Sequence, residues 1–152
     1  MMKKIISYIL MLTWAGYTYV CIELIVRHQS DITMMFCASI CAIPMVLLND
    51  YFSYDFDFIL QALFSALFCT LAELVFGLIF NQDHNIWDYS NMIFNYKGQI
   101  CLPFFFVWIL ISIPIIIIAD WMEYYIFDLL SEPPYYKIFG KEVYHMKQKE
   151  RR

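Results

Sequence analysis

Apolar residues in this chain come in long runs rather than in stripes. A helix half in water would repeat its apolar positions every three or four residues, and a half-buried strand would alternate. Residues 5–26, 32–48, 58–80 and 100–119 do neither, staying apolar almost throughout. A bilayer core about 30 Å thick is crossed by a helix of about 20 such residues. The second run is the shortest and contains Pro44, so it crosses only if flanking groups reach the interface or the bilayer thins. Backbone groups in hydrocarbon must bond internally, which makes helices the spanning element. The predicted fold class is therefore all-α, a polytopic membrane helix bundle of four spans. Asp31 is placed to cap the second helix. Pro103 stands at the entry of the fourth, and Pro114 lies inside it as a predicted kink.

After residue 119 the pattern changes. Asp120, Glu123, Asp128 and Ser131 fall on one arc of a helix, with Trp121, Met122, Tyr125 and Leu129 away from it. This predicts a C-terminal amphipathic interfacial helix over 120–131, stopped by Pro133 and Pro134. Its acidic face suits the basic tail or a protein partner better than anionic lipid. The chain then divides into a membrane domain, 1–132, and a basic tail, 133–152.

Composition agrees with the runs. The chain is 62% hydrophobic and 16% charged, whereas a soluble domain carries about a quarter charged residues. That excludes a soluble globule. The layout of the ten Lys and Arg residues adds an orientation: all but Arg27 and Lys97 sit at the two ends. Four spans bring those ends to one side, and the positive-inside rule makes that side the cytoplasm. The reading is a multi-pass protein of the cell membrane with N- and C-termini cytoplasmic. Lys3 and Lys4 before an apolar run resemble a signal peptide, but the run is too long and no small-x-small site follows it. No basic groove or nucleic-acid motif is present, so no nucleic-acid partner is expected. The five cysteines form no CxxC pair, which argues against a disulfide framework or zinc site. Cys37 and Cys41 share a helix face and read as small apolar residues.

Two carboxylates lie inside spans, Glu23 in the first and Glu73 in the third. An ionised group at mid-helix costs at least about 2.5 kcal/mol on insertion scales, so such residues are functional candidates by default. At 1.5 Å per residue, Glu23 lies about 5 Å and Glu73 about 10 Å below the ends of their spans. Both belong to the outer half, beneath the third loop. Arg27, four residues after Glu23, offers it an intrahelical ion pair, so Glu23 reads either as structural or as part of a site. Glu73 has no basic residue within a turn. Its row, Gln61, Ser65, Cys69, Glu73 and Gly77, is small or polar at every fourth position, which suits close helix contact. A protonated Glu73 bonded within the bundle and a proton, cation or ligand site both fit.

The third loop, residues 81–99, is long for a connector and dense in chemistry: Trp87, Asp88, Tyr89 and Ser90, then Phe94, Asn95, Tyr96, Lys97, Gly98 and Gln99. Trp87, Asp88, Tyr89, Asn95 and Gln99 join Glu23, Arg27 and Glu73 as ligand or proton site candidates. His84 beside Asp88 is too few donors for a metal site. No Ser-His-Asp arrangement or HExxH occurs, so the chain does not read as an enzyme, and no cofactor is expected.

Several of these segments resemble a known family: Trp14-Ala15-Gly16 with Glu23, Glu73 with Gly77, Trp87-Asp88-Tyr89-Ser90, Phe94-Asn95, Gly98 through Pro103, Trp108, and Pro134-Tyr135-Tyr136-Lys137. They are similar to the type IV ABC-transporter (CmpB-like) permeases, small integral membrane proteins. The resemblance implies a permease-like subunit of a membrane transport complex. No GxxxxGK[ST] is present, so an ABC function requires a separate ATPase subunit. Four short spans also imply a homo- or hetero-oligomer in the bilayer. The alternative is a non-transporting structural or regulatory membrane protein, whose carboxylates only hold helices together.

Overall fold

A computed structural model describes residues 2–149. Four long helices dominate it: α1 (Met2–Arg27), α2 (Ile32–Tyr51), α3 (Phe58–Phe80) and α4 (Leu102–Trp121). All four are long and apolar enough to cross a membrane. The second helix reaches Tyr51 and has 20 residues, about 30 Å at 1.5 Å per residue, so it needs no thinning of the bilayer. It starts where Asp31 caps it, with the Thr33 amide donating to Asp31 Oδ1 at 2.8 Å. Asp57 does the same for α3 through the Ile59 amide at 2.9 Å. Pro44 and Pro114 lie inside α2 and α4, and both helices continue past them.

The helices run alternately up and down. The start of α1, the end of α2, the start of α3 and the end of α4 meet at one end, here the termini end. Lys4 pairs there with Asp50 at 2.5 Å, and Asn49 bonds Asp120 at 2.8 Å. The opposite end carries the third loop. Consecutive helices pack on each other, and α2 also packs on α4.

Side chains are sorted inside out relative to a soluble protein. Ile25, Leu110 and Ile9 are among the large apolar residues facing outward, while Ala62, Ala66, Cys69 and Ser65 are fully buried. Small residues let membrane helices approach closely, and polar ones bond across the contact. Gly16 shows why: a Cβ there would strike Ser39 Oγ and the Met35 carbonyl of α2. Cys41 and Cys69 face each other across α2 and α3, each thiol turned to the other's carbonyl.

The segment after α4 differs from the sequence reading. Helix continues only to Ile126, as a π-helical turn over Met122–Ile126. The amide of Leu129 closes back on the Glu123 carbonyl at 2.9 Å, and Asp128 takes a positive φ of 51°, which a helix cannot absorb. The expected amphipathic helix over 120–131 is thereby corrected to a shorter one. Its acidic arc is not a free face either, because Asp120 and Glu123 are buried against the bundle. The chain beyond Pro134 forms a two-stranded antiparallel hairpin, β1 (Tyr135–Ile138) and β2 (Lys141–His145). Phe139 and Gly140 between them both have positive φ, as a two-residue hairpin turn requires.

Candidate functional site

At the loop end, Glu23 and Glu73 are both buried but differ in their partners. Glu23 is fully engaged. Arg27 Nη1 donates to its Oε1 at 2.8 Å, Ser30 Oγ to its Oε2 at 2.7 Å, and the Tyr19 hydroxyl approaches Oε1 at 3.4 Å. Arg27 also reaches 59 residues along the chain to the Ile86 carbonyl at 2.9 Å, which ties α1 to the third loop. Ser30, in the first loop, was not singled out from the sequence, because nothing in its spacing points to Glu23.

Glu73 has no cationic partner among the described residues. The Tyr89 hydroxyl donates to Oε1 at 2.9 Å and Trp108 Nε1 to Oε2 at 3.1 Å. Both donors are neutral and come from different elements, the third loop and α4. Tyr89 is held by stacking on Phe104, centroids 4.4 Å apart. Burial, with the charge of Glu73 beside it, holds the Tyr89 phenol well above its ordinary value, so it stays a donor. Tyr19 lies within electrostatic reach of both Glu23 and Glu73. The two carboxylates thus share one layer under the loop, Tyr19 bonding Glu23 and Tyr89 bonding Glu73.

The third loop is a knot of its own hydrogen bonds. Asn81 is buried at its root: it donates to the Trp87 carbonyl at 2.7 Å and to Gln99 Oε1 at 3.0 Å, and it accepts the Ile86 amide at 2.8 Å. Gln99 returns a bond to the Asn81 carbonyl at 2.9 Å, and Trp87 Nε1 donates to the Gln99 carbonyl at 2.9 Å. Asn95 bridges the Ser90 and Met92 carbonyls and accepts from the Gly98 amide. Gly98 has φ +64°, and a Cβ there would meet Ser90 Oγ and His84 Nε2, so glycine is required. Gly77 on α3 leaves room for the Gln99 side chain in the same way.

Of the eight sequence-nominated residues, then, the structure brings Glu73 and Tyr89 into one contact and Glu23 and Arg27 into another. Trp87, Asn95 and Gln99 spend their polar atoms inside the loop. Asp88 is exposed and caps the Ser90 amide at 2.8 Å. That serine holds its carboxyl below the usual range. His84 turns to the Lys97 carbonyl and Gln99. Asn81 was missed, although a signal existed: it continues the every-fourth-residue row of Gln61, Ser65, Cys69, Glu73 and Gly77.

That row gives the site its setting. Gln61, Ser65 and Cys69 are fully buried. Gln61 Oε1 and Ser65 Oγ have no hydrogen-bond partner among the described residues. A polar face therefore runs along α3 from the termini end to Glu73. Apolar space lies elsewhere, in a groove of about 290 Å³ between α1, α2 and α4 lined by Met11, Trp14, Met45, Trp108 and Ile118 among others.

Four membrane-compatible helices around a polar-faced third helix define a small polytopic helical membrane protein. The family described as "Putative ABC-transporter type IV" matches residues 32–139, and the chain belongs to that family. The match runs from the start of α2 to the turn of the hairpin and includes Glu73, Tyr89 and Trp108. It leaves α1, with Glu23 and Arg27, outside. Neither the curated proteins nor the solved structures contain a match to the chain.

Proposed function

We propose that the chain is a permease-type subunit of a membrane transport complex, driven by a separate ATPase, with Glu73 as its working carboxyl. The observation that carries this reading is the environment of Glu73. A carboxyl in the hydrocarbon layer is costly, and a structural one is normally matched to a cation, as Glu23 is to Arg27. Glu73 is met only by two neutral donors among the described residues, so it can bind and release a proton or cation. Membership of a transporter family and the buried polar row leading to Glu73 support the same reading. The basic residues at both ends favour cytoplasmic termini, which puts Glu73 in the outer half and the hairpin on the side where an ATPase would dock. Loop-end Cys variants labelled by impermeant thiol reagents from outside the cell test that orientation. Labelling only after lysis would reverse it.

A second reading is a non-transporting structural or regulatory membrane protein, favoured by the self-contained bonding of the third loop. Purification from membranes in mild detergent separates the two. Co-purification of an ATPase supports the transport complex, and self-association alone supports the structural protein.

A further inference from the structure

The termini end holds a second group of buried acids. Asp50 of α2 is paired with Lys4 and accepts from the Tyr8 hydroxyl, both from α1. Asp120 of α4, 1% exposed, accepts from Tyr136 of β1 at 2.6 Å, Asn49 of α2 at 2.8 Å and Tyr54 of the second loop at 3.4 Å. Glu123, 2% exposed, stands within electrostatic reach of Asp50, Asp120 and Lys4.

The three acids are not equivalent. Asp50 has a cation and a hydroxyl. Asp120 has three donors. Glu123 Oε1 is buried with no hydrogen-bond partner among the described residues, and Asn49 Oδ1, whose amide nitrogen is bonded to Asp120, is likewise unpartnered. Among the described residues the basic group in reach, Lys4, is already spent on Asp50. An ionised Glu123 would be a buried charge without a donor among the described residues, beside the Asp50 and Asp120 carboxyls. Burial of an unpaired charge costs so much that such a group takes up a proton instead. Glu123 also lies on a π-helical turn, a geometry that recurs at functional sites.

We propose that Glu123 is a proton-binding carboxyl at the termini end of the bundle, a second site distinct from Glu73 and set by Asp50, Asp120 and Lys4. The proton adds to one carboxylate oxygen of Glu123 and leaves by the same route, with no bond broken elsewhere. Tyr8, Tyr54 and Tyr136 are the remaining titratable groups facing the cluster. Tyr136 of β1 ties the hairpin to Asp120 beside the site. Gln61 and Ser65, whose oxygens are unpartnered among the described residues, lie on α3 between its start and Glu73. The proposal deepens the transport reading by naming the proton as the bound species at this end, but its test does not depend on transport.

Infrared spectroscopy of the full chain in lipid nanodiscs, labelled with ¹³C-carboxyl glutamate, reads the site directly. In the Glu73→Gln background, a protonated glutamate carbonyl band is expected at neutral pH, sensitive to deuterium exchange. Adding Glu123→Gln should remove it, while Glu123→Asp should shift it off the ¹³C frequency and so abolish the labelled band without neutralising the site. The Glu73→Gln single variant guards against a folding failure of the double variant. Absence of a protonated glutamate band in that single variant overturns the proposal, as does a band that survives Glu123→Gln. The reciprocal measurement, in the Glu123→Gln background, reports on Glu73 alone, so failure of one site is distinguishable from failure of the other.

Discussion

The two ends of this bundle solve the same problem in different ways. Each buries carboxyl groups where water is scarce. At the loop end nearly every buried polar atom is matched, largely by groups close in sequence: Asn81 to Trp87, Trp87 to Gln99, Glu23 to Arg27. At the termini end the partners come from far apart, Tyr54 and Asn49 reaching Asp120 across 66 and 71 residues, and Glu123 and Asn49 keep buried oxygens unpartnered. Fully satisfied polar networks rigidify a structure, whereas unsatisfied ones mark strain, chemistry or an absent partner. The loop end therefore behaves as a lid of fixed shape over Glu73. The termini end is the part that keeps buried oxygens without a hydrogen-bond partner among the described residues.

That contrast can be broken most severely at the root of the loop. Asn81→Ala leaves the Trp87 carbonyl, the Ile86 amide and Gln99 Oε1 without their partner, at about 1–3 kcal/mol for each buried group left unpaired. The expected result is a destabilisation of on the order of 3 kcal/mol or more in thermal unfolding in detergent, with the loop opened to proteolysis. A variant that melts like the wild type would show that the knot is not holding the loop.

Asp120→Ala comes next. It deprives Tyr136, Asn49 and Tyr54 of their acceptor, and hydrogen bonds to a charged group contribute about 1.5–3 kcal/mol. The expected outcome is release of the hairpin, read as faster proteolysis between β1 and β2, with the loop end unaffected. Coupled loss at both ends would contradict their independence. An effect on the order of 3 kcal/mol is expected for Arg27→Met, because it leaves the buried Glu23 carboxylate without its cation. Double-mutant analysis with Glu23→Gln should recover most of that loss.

The mildest effect concerns pH. Lys137 donates to Asp55, and Tyr135 does so at 3.0 Å, holding the Asp55 carboxyl below its ordinary value. A depressed folded value means that this contact stabilises the docked hairpin above the ordinary carboxylate range, and that the gain is lost as pH falls through the lowered value. Hairpin protection against proteolysis by an acid-active protease should weaken below about pH 4, and Asp55→Asn should flatten that dependence.

How much of this was legible in the sequence follows the same division. The helices were, because unbroken apolar runs have few alternatives; the second proved longer than its apolar core since Asn49 and Asp50 are bonded at its end. Glu73 stood out because nothing near it in sequence answers its charge. Trp87, Asn95 and Gln99 were recognisable as a dense cluster, but whether a polar side chain serves a ligand or its own loop depends on backbone geometry that spacing does not encode. Asp120 and Glu123 read as the acidic face of an interfacial helix, turned to the basic tail or a protein partner, since the groups around them lie on α1, α2, the second loop and β1. Even so, Asp120 continues the row Trp108, Ser112 and Ile116, of which Ser112 and Ile116 are fully buried. The hairpin went unread because its strands are short, although Gly140 marks its turn.

Glu73→Gln tests the central claim most directly, in the chain purified with its partner proteins and reconstituted into vesicles. The substitution keeps the side chain's size and an acceptor for Tyr89 or Trp108 but removes the exchangeable proton. The expected result is unchanged melting and unchanged partner recovery with loss of transport. Transport at the wild-type rate, or collapse of the complex, would instead make Glu73 a structural bond between α3, α4 and the third loop.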